Sequence, residues 1–172
     1  MKKETGKYSF IPEDFIFETI EEEIIADQHC QKLLHQFYIW LQQSGITPER
    51  ASDMAYSADY YLRDYILDFL QQNPLYPEAG QIRYFAGNWH ISNTLEPEIT
   101  LLEKHLDSIA KLYEFIHETT PVNKDIIIQL NEEAADQKFY KERIDSFLAI
   151  SGDGYDRWNK ECQLKKQKME LL

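Results

Sequence analysis

Apolar residues return every three or four positions along residues 95–116: Leu95, Ile99, Leu102, Leu106, Ile109, Leu112, Tyr113 and Ile116. Glu96, Glu98, Glu103, Lys104, Asp107, Lys111 and Glu114 fall between them. That spacing predicts an amphipathic helix with one buried face, roughly 33 Å long at about 1.5 Å per residue. A second stretch, Met54 to Leu70, repeats the pattern with Met54, Ala58, Tyr61, Leu62, Tyr65, Ile66, Phe69 and Leu70. A third, Gln28 to Ser44, presents Cys30, Leu33, Leu34, Phe37, Tyr38, Trp40 and Leu41 on a broad apolar face.

Punctuation between these stretches sets the remaining boundaries. Gly45 stands where a left-handed cap ends a helix. Thr47-Pro48-Glu49 opens the next as N-cap, first helical residue and acid at the positive end, and that helix runs to about Gln72. Asn73-Pro74-Leu75-Tyr76-Pro77 breaks the chain, because each proline disfavours a helical residue before it. A short helix is predicted from Glu78 to Gly87, a loop over Asn88 to Asn93, and Thr94 as the cap of the long helix. After Thr119-Thr120-Pro121, Asn123 begins a helix to about Ile150, Ser151-Gly152-Asp153-Gly154 makes a turn, and a last helix starts at Tyr155 and runs to near the end. The first 27 residues fit a helix starting at Pro12, although Phe15-Ile16-Phe17 and Ile24-Ile25 also suit short strands. The Glu21-Glu22-Glu23 run reads as a solvated face.

The pattern gives an all-α fold of 172 residues: an acidic N-terminal arm (1–27), a four-helix core (28–120) and a helical extension (121–172) packed on that core. No internal repeat, no long linker and no apolar run of the ~20 residues needed to span a bilayer occurs. The lysines of the N-terminus precede no apolar segment, so no secretory signal is expected. Cys30 and Cys162, the only cysteines, read as reduced thiols of a soluble, cytoplasmic protein.

Charge narrows the partners. The formal net charge of −12 repels phosphate backbones. Residues 1–27 hold eight acids against three lysines, residues 28–120 twelve acids against six bases, and residues 121–172 ten against nine. Lys165, Lys166 and Lys168 form the one basic stretch and read as a solvated helix end.

Residues 28–118 resemble the small helical, SAM-like core-binding domain at the N-terminus of phage integrases and other tyrosine recombinases. The Gly45-Ile46-Thr47-Pro48 junction resembles that family's first turn, the run from Tyr61 to Leu70 the end of its second helix, and the run from Leu106 to Ile116 its fourth. The resemblance covers about half the chain and implies a four-helix core facing DNA. The family's catalytic domain, with its tyrosine nucleophile, arginines and His-x-x-Arg motif, has no counterpart: none of the five histidines has arginine three positions on, and residues 121–172 are too few. Descent from this family therefore implies a DNA role lost or reassigned.

Few constellations carry chemistry. Glu114 and His117 have the Glu-x-x-His spacing of carboxylate-bridged di-metal bundles, but no second copy of that spacing occurs, and an exposed ion pair is the plainer reading. His29 and Cys30 are adjacent and point about 100° apart, poor geometry for a shared metal, so Cys30 reads as a small buried residue. No Cys-x-x-Cys, His-Glu-x-x-His, Gly-x-Ser-x-Gly or P-loop string occurs, and no cofactor is implied. Tyrosine is the compositional excess. Tyr56, Tyr60 and Tyr76, with Trp89 and His90, form a candidate aromatic contact surface, against the alternative of rings at the core edge with wet hydroxyls.

The leading reading is a non-enzymatic module that binds a protein partner or associates with itself, with no membrane involvement. A second is a DNA-binding accessory of integrase ancestry using Arg50, Arg63, Arg83, Lys104 and Lys111. A third is a metal-dependent helical enzyme built around Glu114 and His117.

Overall fold

The computed structural model describes residues 10–164. Every regular element among them is helical, so the all-α expectation holds. The basic stretch at Lys165, Lys166 and Lys168 lies outside the described residues, as do residues 1–9 of the N-terminal arm. The helices are α1 (Ile20–Gln43), α2 (Pro48–Asp59), α3 (Gln81–Tyr84), α4 (His90–Ser92), α5 (Ile99–Thr119), α6 (Lys124–Ala135), α7 (Gln137–Leu148) and α8 (Tyr155–Lys160). A 3-10 turn, Pro12–Phe15, precedes them. Two stretches are π-helical: Tyr60–Phe69 continues α2 without a break, and Phe85–Trp89 joins α3 to α4.

The chain forms two compact units. One contains the residues up to Tyr76 together with Leu112–Val122; the other contains Pro77–Lys111 and the residues from Asn123 onward. Helix α5 contributes its last turns to the first unit and its earlier turns to the second.

In the first unit, α1 packs against α2 and the π segment. Leu33, Phe37, Leu41, Ala58, Tyr61, Leu62, Tyr65, Ile66, Leu112, Tyr113 and Ile116 are all fully buried. Two tyrosines carry their hydroxyls inward: those of Tyr61 and Tyr113 share a hydrogen bond at 3.1 Å, and the rings meet edge-on. That pairing removes the cost of burying either hydroxyl alone. The Phe115 ring packs on Phe37 and Trp40, and the Trp40 indole N–H donates to Glu118 at 2.8 Å. Helix α1 starts on a capping box: the Glu22 N–H donates to Thr19 Oγ1, while the Glu22 carboxylate accepts the N–H groups of Thr19 and Glu18. Those bonds hold the Glu22 carboxyl below its usual pKa.

In the second unit, Arg143 is the hub. It is 4% exposed. Its Nε donates to the Gly87 carbonyl at 2.8 Å, one Nη donates to the Trp158 carbonyl at 2.9 Å, and the other meets Glu161 at 3.3 Å. The guanidinium lies 4.0 Å above the Trp158 ring, whose indole N–H donates back to the Arg143 carbonyl. Asn88 ties the same π turn to the carbonyls of Asn159 and Cys162. Gly87 has to be small: a Cβ there would stand 3.0 Å from the Cys162 sulfur and 3.1 Å from the Phe139 ring.

Several boundaries differ from those predicted. The helix entry at Pro12 is present, with Glu13 and Asp14 in its first turn, but it is a single 3-10 turn that ends at Phe15; an extended link then leads to α1, which runs unbroken through residue 28. The Thr-x-x-Glu box at 19–22 is the reason. The predicted loop Asn88 to Asn93 is helical as far as Ser92, and the preceding helix begins at Gln81 rather than Glu78. Asn88 and Trp89 are held in helical conformation by the second unit's core, which overrides their weak propensity. Thr94 caps the end of that helix, donating to the His90 carbonyl, and does not open α5. Helix α5 starts at Ile99 because Pro97 disfavours a helical Glu96, and Leu95 is left wholly exposed. The helix predicted from Asn123 to Ile150 divides at Asp136, whose carboxylate caps α7 through the Phe139 N–H. The last helix, predicted to run from Tyr155 to near the end, closes at Lys160.

Candidate interaction groove

Helix α1 carries two apolar faces at its start. Ala26, Cys30, Leu33 and Leu34 point into the core, and burial pushes the Cys30 thiol up to about 12. Ile20, Glu23, Ile24 and Asp27 follow one another at the spacing of a single helix face, yet Ile20 is 73% and Ile24 54% exposed. Ile25 and Ile16 are exposed as well. These isoleucines are surplus to the core.

Opposite that face lies the π segment. A helix bonded from i to i+5 holds more residues per turn than the 3.6 of an α-helix, so positions four and five apart share a side. Tyr61, Tyr65 and Ile66 accordingly go inward together. Asp59, Arg63, Asp64, Leu67 and Asp68 line the other side and, with Ile20, Glu23, Ile24 and Asp27, enclose a groove of about 400 Å³. Three aliphatic side chains, five carboxylates and one guanidinium line it.

Arg63 is bound within this groove. Its Nε and one Nη meet both oxygens of Asp27 at 2.6 and 3.2 Å, and the other Nη meets Asp59 at 3.1 Å. The Asp27 bond, followed by Asp59, raises the guanidinium's pKa further, against its burial. Asp27 and Asp59 thus share one cation, and the trio keeps a net negative charge. Glu23, Asp64 and Asp68 have no cationic partner among the described residues. Burial, and then the charges of Asp59 and Asp68, raise the Asp64 carboxyl above its ordinary pKa, with Arg63 opposing.

The residues singled out from sequence distribute as follows. Tyr56 is 77% exposed on α2, three positions before Asp59, and does not line the groove. Tyr60 is half-buried one turn further on, and Tyr76 is exposed at the end of the first unit. Trp89 and His90 belong to the second unit: Trp89 is half-buried against Phe85, and His90 is buried, so it presents no surface. Of the five bases, Arg50 is exposed and Arg63 is spent on Asp27 and Asp59. Arg83 lies over the Phe139 ring and meets Asp136, and Lys104 is exposed and Lys111 half-buried on α5. Glu114 and His117 are exposed on α5, and no group of three or more His, Cys, Asp or Glu side chains gathers into a metal site among the described residues. No helix among those residues is long and apolar enough to cross a membrane.

The isoleucine face is not among the surfaces read from sequence, where residues 1–27 are a helix or short strands with no face assigned. The signal was present: Ile20, Ile24 and Ile25 exceed what one buried stripe accommodates once Ala26 and Cys30 set the inward face. No family model, curated protein or solved structure matches the chain.

Proposed function

We propose that this chain is a protein-interaction module whose contact surface is the groove between α1 and the Tyr60–Phe69 π segment. The observation that carries the reading is the pair of exposed isoleucines, Ile20 and Ile24, that line this groove among its carboxylates. Exposed aliphatic side chains rimmed by charge are costly to leave in water and mark contact sites. Tyr56, a rigid amphipathic ring exposed on α2, suits the same role. The π segment supports it too, since π-helical turns concentrate at functional sites.

Photo-cross-linking tests this. With p-benzoylphenylalanine at position 24 or 56, discrete adducts are expected that do not form from the exposed position 142. The same adduct pattern from all three positions, or none, overturns the reading.

Descent from the recombinase core-binding domain is proposed for the ancestry alone. The Gly45-Ile46-Thr47-Pro48 junction supports it, with Gly45 at a left-handed φ of 91° and Thr47 Oγ1 accepting the Arg50 N–H. DNA binding is disfavoured, because Arg63 and Arg83 are already engaged by carboxylates and the net charge is −12. The expected outcome with short DNA duplexes at about 50 mM salt is no binding; tight binding that weakens steeply towards about 200 mM would reverse the order of the two readings.

A further inference from the structure

We infer that the groove receives a basic amphipathic helix of a partner protein, one that sets apolar side chains on Ile20 and Ile24 and lysine or arginine side chains against Asp64, Asp68 and Glu23. The inference rests on the interaction reading above and names the partner's chemistry.

Charge complementarity is its first ground. The groove sets five carboxylates against one guanidinium, that of Arg63, which pairs with Asp27 and Asp59; Glu23, Asp64 and Asp68 form no ion pair among the described residues. An anionic or neutral occupant would bury these charges further from water and gain nothing from them. A cation at Asp64 would replace the solvation that partial burial has removed.

Spacing is the second ground. Ile20 and Ile24 stand one helical turn apart, and Asp64 and Asp68 are likewise four positions apart on the facing wall. A partner helix with apolar residues at i and i+4, and basic residues at i and i+4 on the adjoining face, matches both rows at once. That is the helix-in-groove mode, in which an apolar stripe gives affinity and flanking charge gives selectivity. Ile16 and Ile25, exposed on the same stretch of chain, add aliphatic surface outside the groove lining.

The probes are three synthetic helical peptides of roughly four turns, identical except that the flanking positions carry Lys, Gln or Glu. Affinity for the full chain is read by fluorescence anisotropy at about 50 and 200 mM salt. The Lys peptide is expected to bind at least about tenfold more tightly than the Gln peptide, and the Glu peptide not at all. Both Ile24→Ser and the double variant Asp64→Asn, Asp68→Asn are expected to weaken the Lys peptide about tenfold while keeping the parent's thermal transition by circular dichroism.

Equal binding of Lys and Gln peptides, lost on Ile24→Ser, would overturn the basic partner and keep the interaction surface. Lys-peptide binding unchanged in both variants would mean attraction to an acidic surface at large, and it overturns the inference. Self-association abolished by Ile24→Ser would make a second copy of the chain the occupant, which also overturns it. No binding by any peptide overturns it outright, with the cross-linking result then deciding whether the groove is a contact surface at all.

Discussion

Arg143 illustrates how much of the second unit depends on one side chain. Its guanidinium serves the carbonyls of Gly87 and Trp158 and the Glu161 carboxylate, and covers the Trp158 ring. Burial lowers its pKa while the nearby Cys162 and Glu161 oppose that shift, and the group stays charged. Arg143→Met would strand two buried carbonyls, and a loss of about 3 kcal/mol is expected. Arg143→Lys is expected to lose nearly as much, about 2 kcal/mol, because one ammonium cannot reach three acceptors in the fork geometry. Urea unfolding measures both; losses under about 0.5 kcal/mol, the level of an ordinary surface change, would remove Arg143 from this role. Nothing near position 143 in the sequence announces it: Arg143 is one of several charged residues along that helix. Its partners are 56 and 15 residues away.

At the scale of elements, local signals fixed starts and stops wherever a side chain can reach its own backbone. Gly45, Thr47-Pro48 and Asn123 sit where their chemistry places them, and Asn123 accepts the Asp125 N–H at 2.9 Å. Thr19 with Glu22 is a further case of the same kind. Thr19→Ala is expected to cost about 1 kcal/mol and to loosen the first turn of α1, where Ile20, Glu23 and Ile24 are set. Hydrogen exchange at residues 20–24 would rise, with the rest of α1 unchanged; a uniform rise along α1 would mean that the cap does not act locally. The two π segments are a different matter. Residues 60–69 carry the apolar spacing of an ordinary helix, and the wider turn follows from seating Tyr61, Tyr65 and Ile66 together in one core. A long-range demand of that sort leaves no mark in local propensity.

Taken whole, the molecule couples its stability to pH through His90. The rings of His90 and His105 meet at 5.2 Å in the second unit. Burial, and then His105, hold the His90 pKa down to about 4, and burial lowers that of His105. The His90 imidazole is therefore neutral in the folded chain above about pH 4, while in the unfolded chain it protonates at about pH 6.5. Between these values the unfolded state binds more protons, so the stability is full above about pH 6.5 and falls as the pH drops towards 4. From pH 7 to 5 the expected loss from His90 is on the order of 2 kcal/mol, with His105 adding in the same direction. His90→Phe is expected to flatten the dependence seen in urea titrations; an unchanged slope would locate the coupling elsewhere.

By itself the sequence determined the helical class, the buried face of most helices, the boundaries at Gly45, Thr47-Pro48 and Asn123, and the acidic character. Each of these follows from periodicity, from side chains acting on their own backbone, or from composition. The tertiary structure alone decided the rest. It put Tyr61, Tyr65, Tyr84, Tyr113 and Tyr140 into the core and left Tyr56, Tyr76 and Tyr155 outside. It buried His90, engaged Arg63 between two aspartates, and left Ile20 and Ile24 facing acids some forty residues along the chain. A groove is a relation between surfaces of two elements. One helix records which of its faces is apolar, but not what the next helix will set against it.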